Sequence, residues 1–489
     1  MAWRKPWMKI SAVNPPFLRR FSRGQRSPAV TRSGTLYYPI WLAYAVCAFE
    51  RDGHEVDLVD APAAGLDEEA VIQRVDSFGP GLVVVESSTP SIESDVRFAD
   101  RLAEADGRFV LLVGTHPSAL PRRTLDAGSR FQAVAVGEYD LTARLLARTL
   151  ESGGDPSSVP GLLLRTGGGP VDTGPCRREE DLDSLPFVSR IYAKHLDPSR
   201  YSNPNALHPM VMIMGGRGCP NNCTFCLFPQ TLTGRGLRLR SIGNVVEEVM
   251  WVQENMPSVR AVFFEDDTIS ADRDRLRELA AALSKAGNRL RWTANMRASV
   301  DYETLLMCRR SGLRTVCTGF ESGDPAMLEA IRKGVDVETM RRFATDARRA
   351  GVLVHGCFLF GAPGETAESM QRTLEFALSM PLYSAQFYPM MVYPGTEAYA
   401  QAEARGMIVP SSWRGWLSEE GLHTSVIRTE SLSAEDISRF CDHARRAFYL
   451  RPGFMLSTAV RALRDSDERT RTLKAFSSFW RFLLPKRSL

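Results

Sequence analysis

No run of apolar residues in this 489-residue chain reaches bilayer length. Crossing a membrane as a helix takes roughly 18–20 such residues, so helical spans are excluded. Charge of one sign is scarce too. The 61 Lys and Arg are nearly matched by 57 Asp and Glu, too small an excess to argue for nucleic acid. Nine cysteines are too few for a disulfide scaffold in a chain this long. The first residues, MAWRKPWMKISAV, are basic but have no apolar h-region and no small-residue cleavage site. Secretion is therefore not expected, and the chain is placed in a reducing cytoplasm where thiols stay available for metal. What is present is ordinary globular material, 44% apolar and 24% charged, which leaves out disorder, collagen and coiled coil. Its length suggests about three domains.

The first 150 residues alternate β-branched runs (9–13, 55–59, 82–85, 109–113, 133–136) with helix-like segments such as 66–78 and 92–105. That rhythm predicts parallel pairing with right-handed crossovers, an open doubly wound Rossmann-like sheet. Its strand ends carry Asn14, then Ser87-Ser88-Thr89, Gly114-Thr115-His116 and Gly137-Glu138. One such loop would only cap a helix. Four along the carboxyl edge of one sheet predict a bound ligand. Residues 151–205 are rich in Gly, Pro, Ser and acidic residues and read as a linker with short strands. A second βα series follows at 211–214, 261–264, 290–294, 315–318, 353–358 and 385–388. Six units without a clear seventh and eighth predict a partial (β/α)6 barrel. The expected domains are 1–150, the linker 151–205, the barrel 206–400 and a helical region 401–489.

Cys219, Cys223 and Cys226 stand in RGCPNNCTFC, directly after the first strand of that barrel. Three thiolates in one tight loop select zinc or an iron–sulfur cluster. Structural zinc wants a fourth Cys or His at motif spacing. Here the other cysteines are scattered at 47, 176, 308, 317, 357 and 441. A four-iron cluster with three protein ligands leaves one iron open for a substrate or cofactor.

C-x3-C-x2-C in this place resembles the radical S-adenosylmethionine enzymes, over about residues 206–400. The resemblance implies a [4Fe–4S] cluster on the three cysteines and S-adenosylmethionine on its open iron, cleaved to a 5′-deoxyadenosyl radical. It places Phe225 beside that cofactor. Asp266 and Asp267, in EDD where the family more often has Gly-Gly-Glu, would hold the methionyl ammonium, and Arg297 would meet the carboxylate. Glu321 and Ser322, in GFESG, match the segment that contacts the ribose. GCFLFGAPG, residues 356–364, matches the next strand and turn.

The phrases YYPIWLAYAVCAFERDGHEVDLVDAP, GTHPSALP and VGEYD resemble the cobalamin-dependent (class B) subgroup, near the anaerobic magnesium-protoporphyrin ester cyclases and hopanoid-pathway enzymes. Cobalamin is then expected at Asn14, Ser87, Ser88, Thr89, Gly114, Thr115, His116, Gly137 and Glu138. There is no D-x-H-x-x-G, so no lower imidazole ligand is expected. His116 and His54 are the available histidines. The implied reaction is methyl transfer from methylcobalamin to an unactivated carbon of a small molecule, with cyclisation or rearrangement as the alternative. Its implied partner is an external flavodoxin- or ferredoxin-type electron donor, and the protein is expected as a monomer that binds no nucleic acid. A methylthiotransferase would carry three further clustered cysteines, and a non-catalytic corrinoid or nucleotide sensor would not need an open iron. Arg19, Arg20, Arg23, Arg26, Arg238 and Arg240 read by default as solvated charge. The basic, aromatic helix expected at 473–484 either covers the barrel mouth or touches a membrane.

Overall fold

The computed structural model describes residues 8–473. Its first sheet contains β1 Lys9–Asn14, β2 Glu55–Asp60, β3 Leu82–Ser87, β4 Phe109–Gly114, β5 Ala133–Ala135, β6 Leu162–Leu164 and β7 Val171–Asp172. Their spatial order is β2-β1-β3-β4-β5-β6-β7. The first five pair in parallel, as expected, and β3 is buried along its whole length, which is why it reads LVVVES. Two strands of the 151–205 stretch, β6 and β7, add antiparallel at one edge. Strand order reverses between β1 and β3, so Asn14 and Ser87 border the crevice where such sheets take ligands.

The second sheet contains β8 Met210–Ile213, β11 Ala261–Phe264, β12 Arg291–Asn295, β13 Leu313–Glu321, β14 Leu353–Phe360 and β15 Ser384–Pro389, adjacent in that order. All pair in parallel, giving the expected open six-stranded partial barrel. Between β8 and β11 lies a ribbon of β9 Gly216–Arg217 and β10 Arg238–Leu239. Beyond the barrel come helices Glu397–Ala404, Ala434–Tyr449 and Pro452–Arg464. After them Asp467 pairs with Arg260 (2.7 Å) and Glu468 Oε2 accepts the Tyr383 hydroxyl (2.5 Å). Arg260 and Tyr383 precede β11 and β15, so this segment covers the amino end of the barrel. The expected helix at 473–484 lies outside the described residues except for Leu473. Among the described residues no helix is long and apolar enough to cross a membrane.

One helix, Ile40–Arg51, joins the halves. Its sequence IWLAYAVCAFER is apolar all round, and residues 40–49 are all buried, as such a pattern demands. The Tyr44 hydroxyl accepts the Met214 N–H at 3.2 Å, and Trp41 meets Phe228 edge-on at 5.7 Å. A continuous core therefore runs from β1 through this helix into the barrel. Burial of Leu42, Val46 and Phe49 contributes about 1.5–3 kcal/mol each.

Glu86, on β3, is a buried carboxyl whose Oε1 accepts the Tyr139 hydroxyl at 3.2 Å while Oε2 has no partner among the described residues. Burial pushes it up to about 7. The folded state thus holds a proton that the unfolded state releases at about 4.3. Stability from this group is complete at low pH and is lost as pH rises through about 7. Glu86→Gln is expected to raise the thermal midpoint near pH 8 and change it little below about pH 4, where the unfolded carboxyl is also protonated. Equal midpoints for variant and wild type near pH 8 would refute the assignment.

Candidate active site

The ribbon of β9 and β10 pinches the two ends of the loop 218–237. Gly218 has φ +93°, and a Cβ there would lie 2.1 Å from the Gly236 carbonyl oxygen, so the pinch closes only on glycine. Within the loop Cys219 and Cys223 are buried and Cys226 is half-buried. Gln230 Nε2 donates to the carbonyls of Thr224 (3.1 Å) and Cys226 (2.8 Å), while its Oε1 accepts the Glu397 N–H (2.9 Å). Asn221 Nδ2 donates to Cys219 Sγ at 3.3 Å. Arg26 lies in the field of Cys226 and Lys333 in that of Cys223. Burial, and then Asp267, lift the Cys226 thiol well above its usual range, a cost that a bound cation reverses. Among the described residues no three His, Cys, Asp or Glu side chains converge on a single metal ion. Three soft ligands on a rigid loop, with cationic neighbours, fit a cluster with one iron left open.

The barrel's strand ends surround that loop. Asp266 Oδ2 accepts the Gly215 N–H at 2.9 Å, and burial raises its carboxyl to about 6. Asp267 Oδ2 accepts the Gly218 N–H (3.2 Å) and the Thr233 hydroxyl (3.0 Å). Of the two expected ammonium-binding carboxylates, Asp267 thus braces the cysteine loop and Asp266 the residue that leads into its ribbon. Their neighbour Glu265 pairs with Arg26 and accepts from Asn295 Nδ2 at 3.2 Å. Arg297 donates to the Lys333 carbonyl and borders a cleft of about 770 Å³ shared with Pro220, Asn221 and Asn222. Phe225 is half-buried against the core.

Glu321 ends β13 with φ +67°, an uncommon conformation for this residue type. Its Oε1 accepts Lys333 Nζ at 2.9 Å, the Tyr388 hydroxyl lies near the same carboxylate, and its buried Oε2 makes no hydrogen bond among the described residues. An orphaned carboxylate oxygen needs a donor, and a ribose hydroxyl or ammonium supplies one. Ser322 is instead a turn brace: its hydroxyl lies 2.8 Å from that of Thr373 and accepts the Asp324 N–H at 3.1 Å. Below, Cys317, His355, Cys357 and Tyr388 are half-buried and Gln386 is exposed, while their neighbours along β13, β14 and β15 are largely buried. One face of these strands therefore lines an open, polar lumen. Burial lowers His355 to about 4, so its ring is neutral.

At the carboxyl edge of the first sheet a closed network takes up several expected cobalamin contacts. Arg23 and Asp95, both fully buried, pair at 2.6 Å, and Asp95 also accepts the hydroxyls of Ser87 (2.9 Å) and Ser91 (2.5 Å). Arg23 Nη1 donates to Asn14 Oδ1 at 2.9 Å, Asn14 Nδ2 donates to Asp60 at 2.9 Å, and Ser88 lies 2.9 Å from the Ser91 hydroxyl. Arg23 and Arg26 are therefore structural, not solvated, whereas Arg19 is exposed as expected. Arg238 and Arg240 are likewise paired, with Glu138 and Glu248. Glu138 is thus turned toward the barrel. His54 precedes β2, at the opposite edge of the sheet.

What remains at the ligand edge is Thr89, Gly114, Thr115, His116 and Gly137. His116 Nδ1 lies 3.1 Å from the Thr89 hydroxyl, Trp413 meets its ring edge-on at 4.9 Å, and burial lowers it to about 3. The buried Thr115 hydroxyl has no partner among the described residues. Gly114 has φ +119°, and a Cβ there would lie 2.2 Å from the Ser87 carbonyl oxygen. Gly114 is thus required by its packing on the β3 backbone, and the buried, unpaired Thr115 hydroxyl beside it is the polar group left for a ligand at the sheet's carboxyl edge.

Two sequence families match the chain, together over more than half of it: the radical SAM superfamily at residues 213–377 and the B12 binding domain at residues 26–147. The chain belongs to the cobalamin-dependent radical S-adenosylmethionine enzymes, whose cofactors are a [4Fe–4S] cluster, S-adenosylmethionine and cobalamin. It is 27% identical to the uncharacterized methyltransferase PH0819 of Pyrococcus horikoshii, covering 93% of this chain and 98% of that one. It is 26% identical to cytidylyl-2-hydroxyethylphosphonate methyltransferase of Streptomyces wedmorensis, covering 81% and 85%. Magnesium-protoporphyrin cyclases and a hopanoid methylase are also among the relatives, as the sequence resemblance implied. In fold it is similar to the methyltransferase TsrM of Kitasatospora setae, with a TM-score of 0.70 at 17% identity, covering 97% and 100% of the two chains.

Proposed function

We propose that the protein methylates an unactivated carbon of a polar small molecule held in the barrel lumen. The observation that carries this reading is that one continuous core joins a three-thiol loop, a Glu321 oxygen without a hydrogen bond among the described residues and a sheet edge with an unpaired Thr115 hydroxyl. Methyl-transferring relatives that cover most of this chain support it. When bound, the cluster and S-adenosylmethionine supply a hydrogen-abstracting radical and the cobalamin supplies the methyl group.

The chain's own residues bind and orient. Cys219, Cys223 and Cys226 hold iron, and Phe225 flanks the sulfonium cofactor. Glu321 accepts a hydrogen bond from it, Arg297 meets its carboxylate, Asp267 fixes the loop and Asp266 the residue that leads into its ribbon. Thr89, Gly114, Thr115, His116 and Gly137 carry the corrinoid, with neutral His116 at its rim. Tyr388, Cys357, His355 and Gln386 face the substrate with uncharged polar groups, which suits a hydrogen-bonding molecule. An external flavodoxin- or ferredoxin-type protein supplies electrons, and the enzyme works as a cytoplasmic monomer. Residues 1–150, with β6 and β7 of the expected linker added at the edge of their sheet, form the corrinoid domain, and 206–400 the radical barrel.

The test is an oxygen-free holoenzyme given a reductant and S-adenosylmethionine labelled in its methyl group. Label recovered with the corrinoid, alongside S-adenosylhomocysteine, is the expected result. If 5′-deoxyadenosine forms and no label ever reaches the corrinoid, methylation is overturned in favour of a rearrangement or of a cyclisation like that of the magnesium-protoporphyrin ester cyclases among the relatives.

A further inference from the structure

Glu138 follows Gly137 at the corrinoid edge and points away from it. Its Oε1 accepts Arg217 Nη1 at 2.5 Å, and its Oε2 accepts Arg238 Nη2 at 2.5 Å. Arg217 Nη1 also donates to Asp140 Oδ2 at 2.7 Å. The two arginines are register partners across β9 and β10, the ribbon that pinches the cysteine loop, and Arg217 stands two residues before Cys219. Side-chain exposure is 0% for Glu138, 1% for Arg217, 3% for Asp140 and 9% for Arg238. Two cations and two anions are thus buried at the seam between the domains.

We infer that this four-charge cluster is a positioning device that sets the separation of the cysteine loop from the corrinoid edge. Stability alone does not call for it, because burying ions costs desolvation that well-packed apolar side chains avoid. What arginine forks supply is fixed distance and angle, since each planar guanidinium meets a carboxylate in a narrow range of geometries. The Arg217 guanidinium also stacks over Tyr44 at 4.7 Å and Trp41 at 5.3 Å, both on the helix that joins the two halves. Sliding of the seam would break both sets of contacts together. A second strut on another side, Arg26 to Glu265, runs from the loop after β1 to the end of β11. The inference rests on the two-cofactor reading and adds a rigid spacing to it.

Pulsed dipolar electron paramagnetic resonance reads that spacing without any substrate. The holoenzyme is prepared with its cobalt as Co(II) and its cluster reduced, and the distance distribution between the two unpaired spins is measured. Glu138→Gln is expected to shift and broaden this distribution at full iron and cobalt occupancy. Arg238→Gln, which leaves the Arg217–Glu138 contact in place, gives a smaller change and serves if Glu138→Gln does not fold. Asp52→Asn is the control. Asp52 is a buried carboxylate paired with Arg144 (2.8 Å) and Arg148 (2.5 Å) wholly inside the corrinoid domain. It should lower the thermal midpoint and leave the spacing alone. An unchanged distribution in the folded variants, or an equal change in Asp52→Asn, overturns the inference. A wild-type sample lacking either spin overturns instead the two-cofactor reading, and the inference with it.

Discussion

Cys223→Ala, purified and reconstituted without oxygen, is expected to bind cobalamin at wild-type stoichiometry and to lose its iron. S-adenosylmethionine cleavage should fall to the level of protein-free controls. The reason is local. Cys223 is the middle of three thiols on a loop whose ends are fixed by the Gly218 pinch and by Asp267, so the remaining two thiols keep their places when it is removed. With two thiols left, a cubane loses a second corner and its hold on the chain. The corrinoid edge is built from β3, β4 and β5, which share no residue with that loop. Iron, sulfide and cobalt are quantified in parallel. Retention of a full iron complement would remove the cysteine motif from the mechanism, and joint loss of cobalt would show that the two sites do not fold separately.

Arg23→Met is expected to cost stability on the largest scale of any single charge removal in the first domain. It leaves Asp95 as a buried anion with only the Ser87 and Ser91 hydroxyls for partners. Stripping one member from a fully buried pair costs about 3–5 kcal/mol, which for a domain of this size lowers the thermal midpoint by on the order of 10 °C. Asn14 would lose its Arg23 contact at the same time. Adding Asp95→Leu to Arg23→Met is expected to recover part of the loss, because the uncompensated charge disappears. A single variant as stable as wild type would mean that the pair is not buried in solution.

Much of this was legible in the sequence because period and spacing are local. The βα rhythm, the barrel's six units and the three cysteines each follow from short windows, and GFESG marked Glu321 before its orphaned oxygen was visible. The buried charges were not legible, since their partners are remote. Arg26 meets Glu265 across 239 positions and Arg217 meets Glu138 across 79, and a sequence shows that an arginine is charged but not that it is enclosed. For the same reason Asn14, Ser87, Ser88 and Glu138 read as ligand contacts. They lie at the carboxyl edge of the first sheet, yet their side chains are spent on Arg23, Asp95, Ser91 and the ribbon arginines. The lumen polar groups His355, Cys357, Gln386 and Tyr388 sit on strands whose alternation was visible, but only sheet closure shows which parity faces inward. Strands β6 and β7, three and two residues long, are too short to carry a period.

The helix Ile40–Arg51 has a consequence for anyone hoping to trade parts between relatives. Because it lies inside one interior shared by the first sheet and the barrel, a cut near residue 150 would strip the amino-terminal fragment of its wrapping and leave a greasy rod facing water. A graft that imports a foreign corrinoid module must bring along matching counterparts to Met214 and Phe228, or the hybrid will clump before it binds anything.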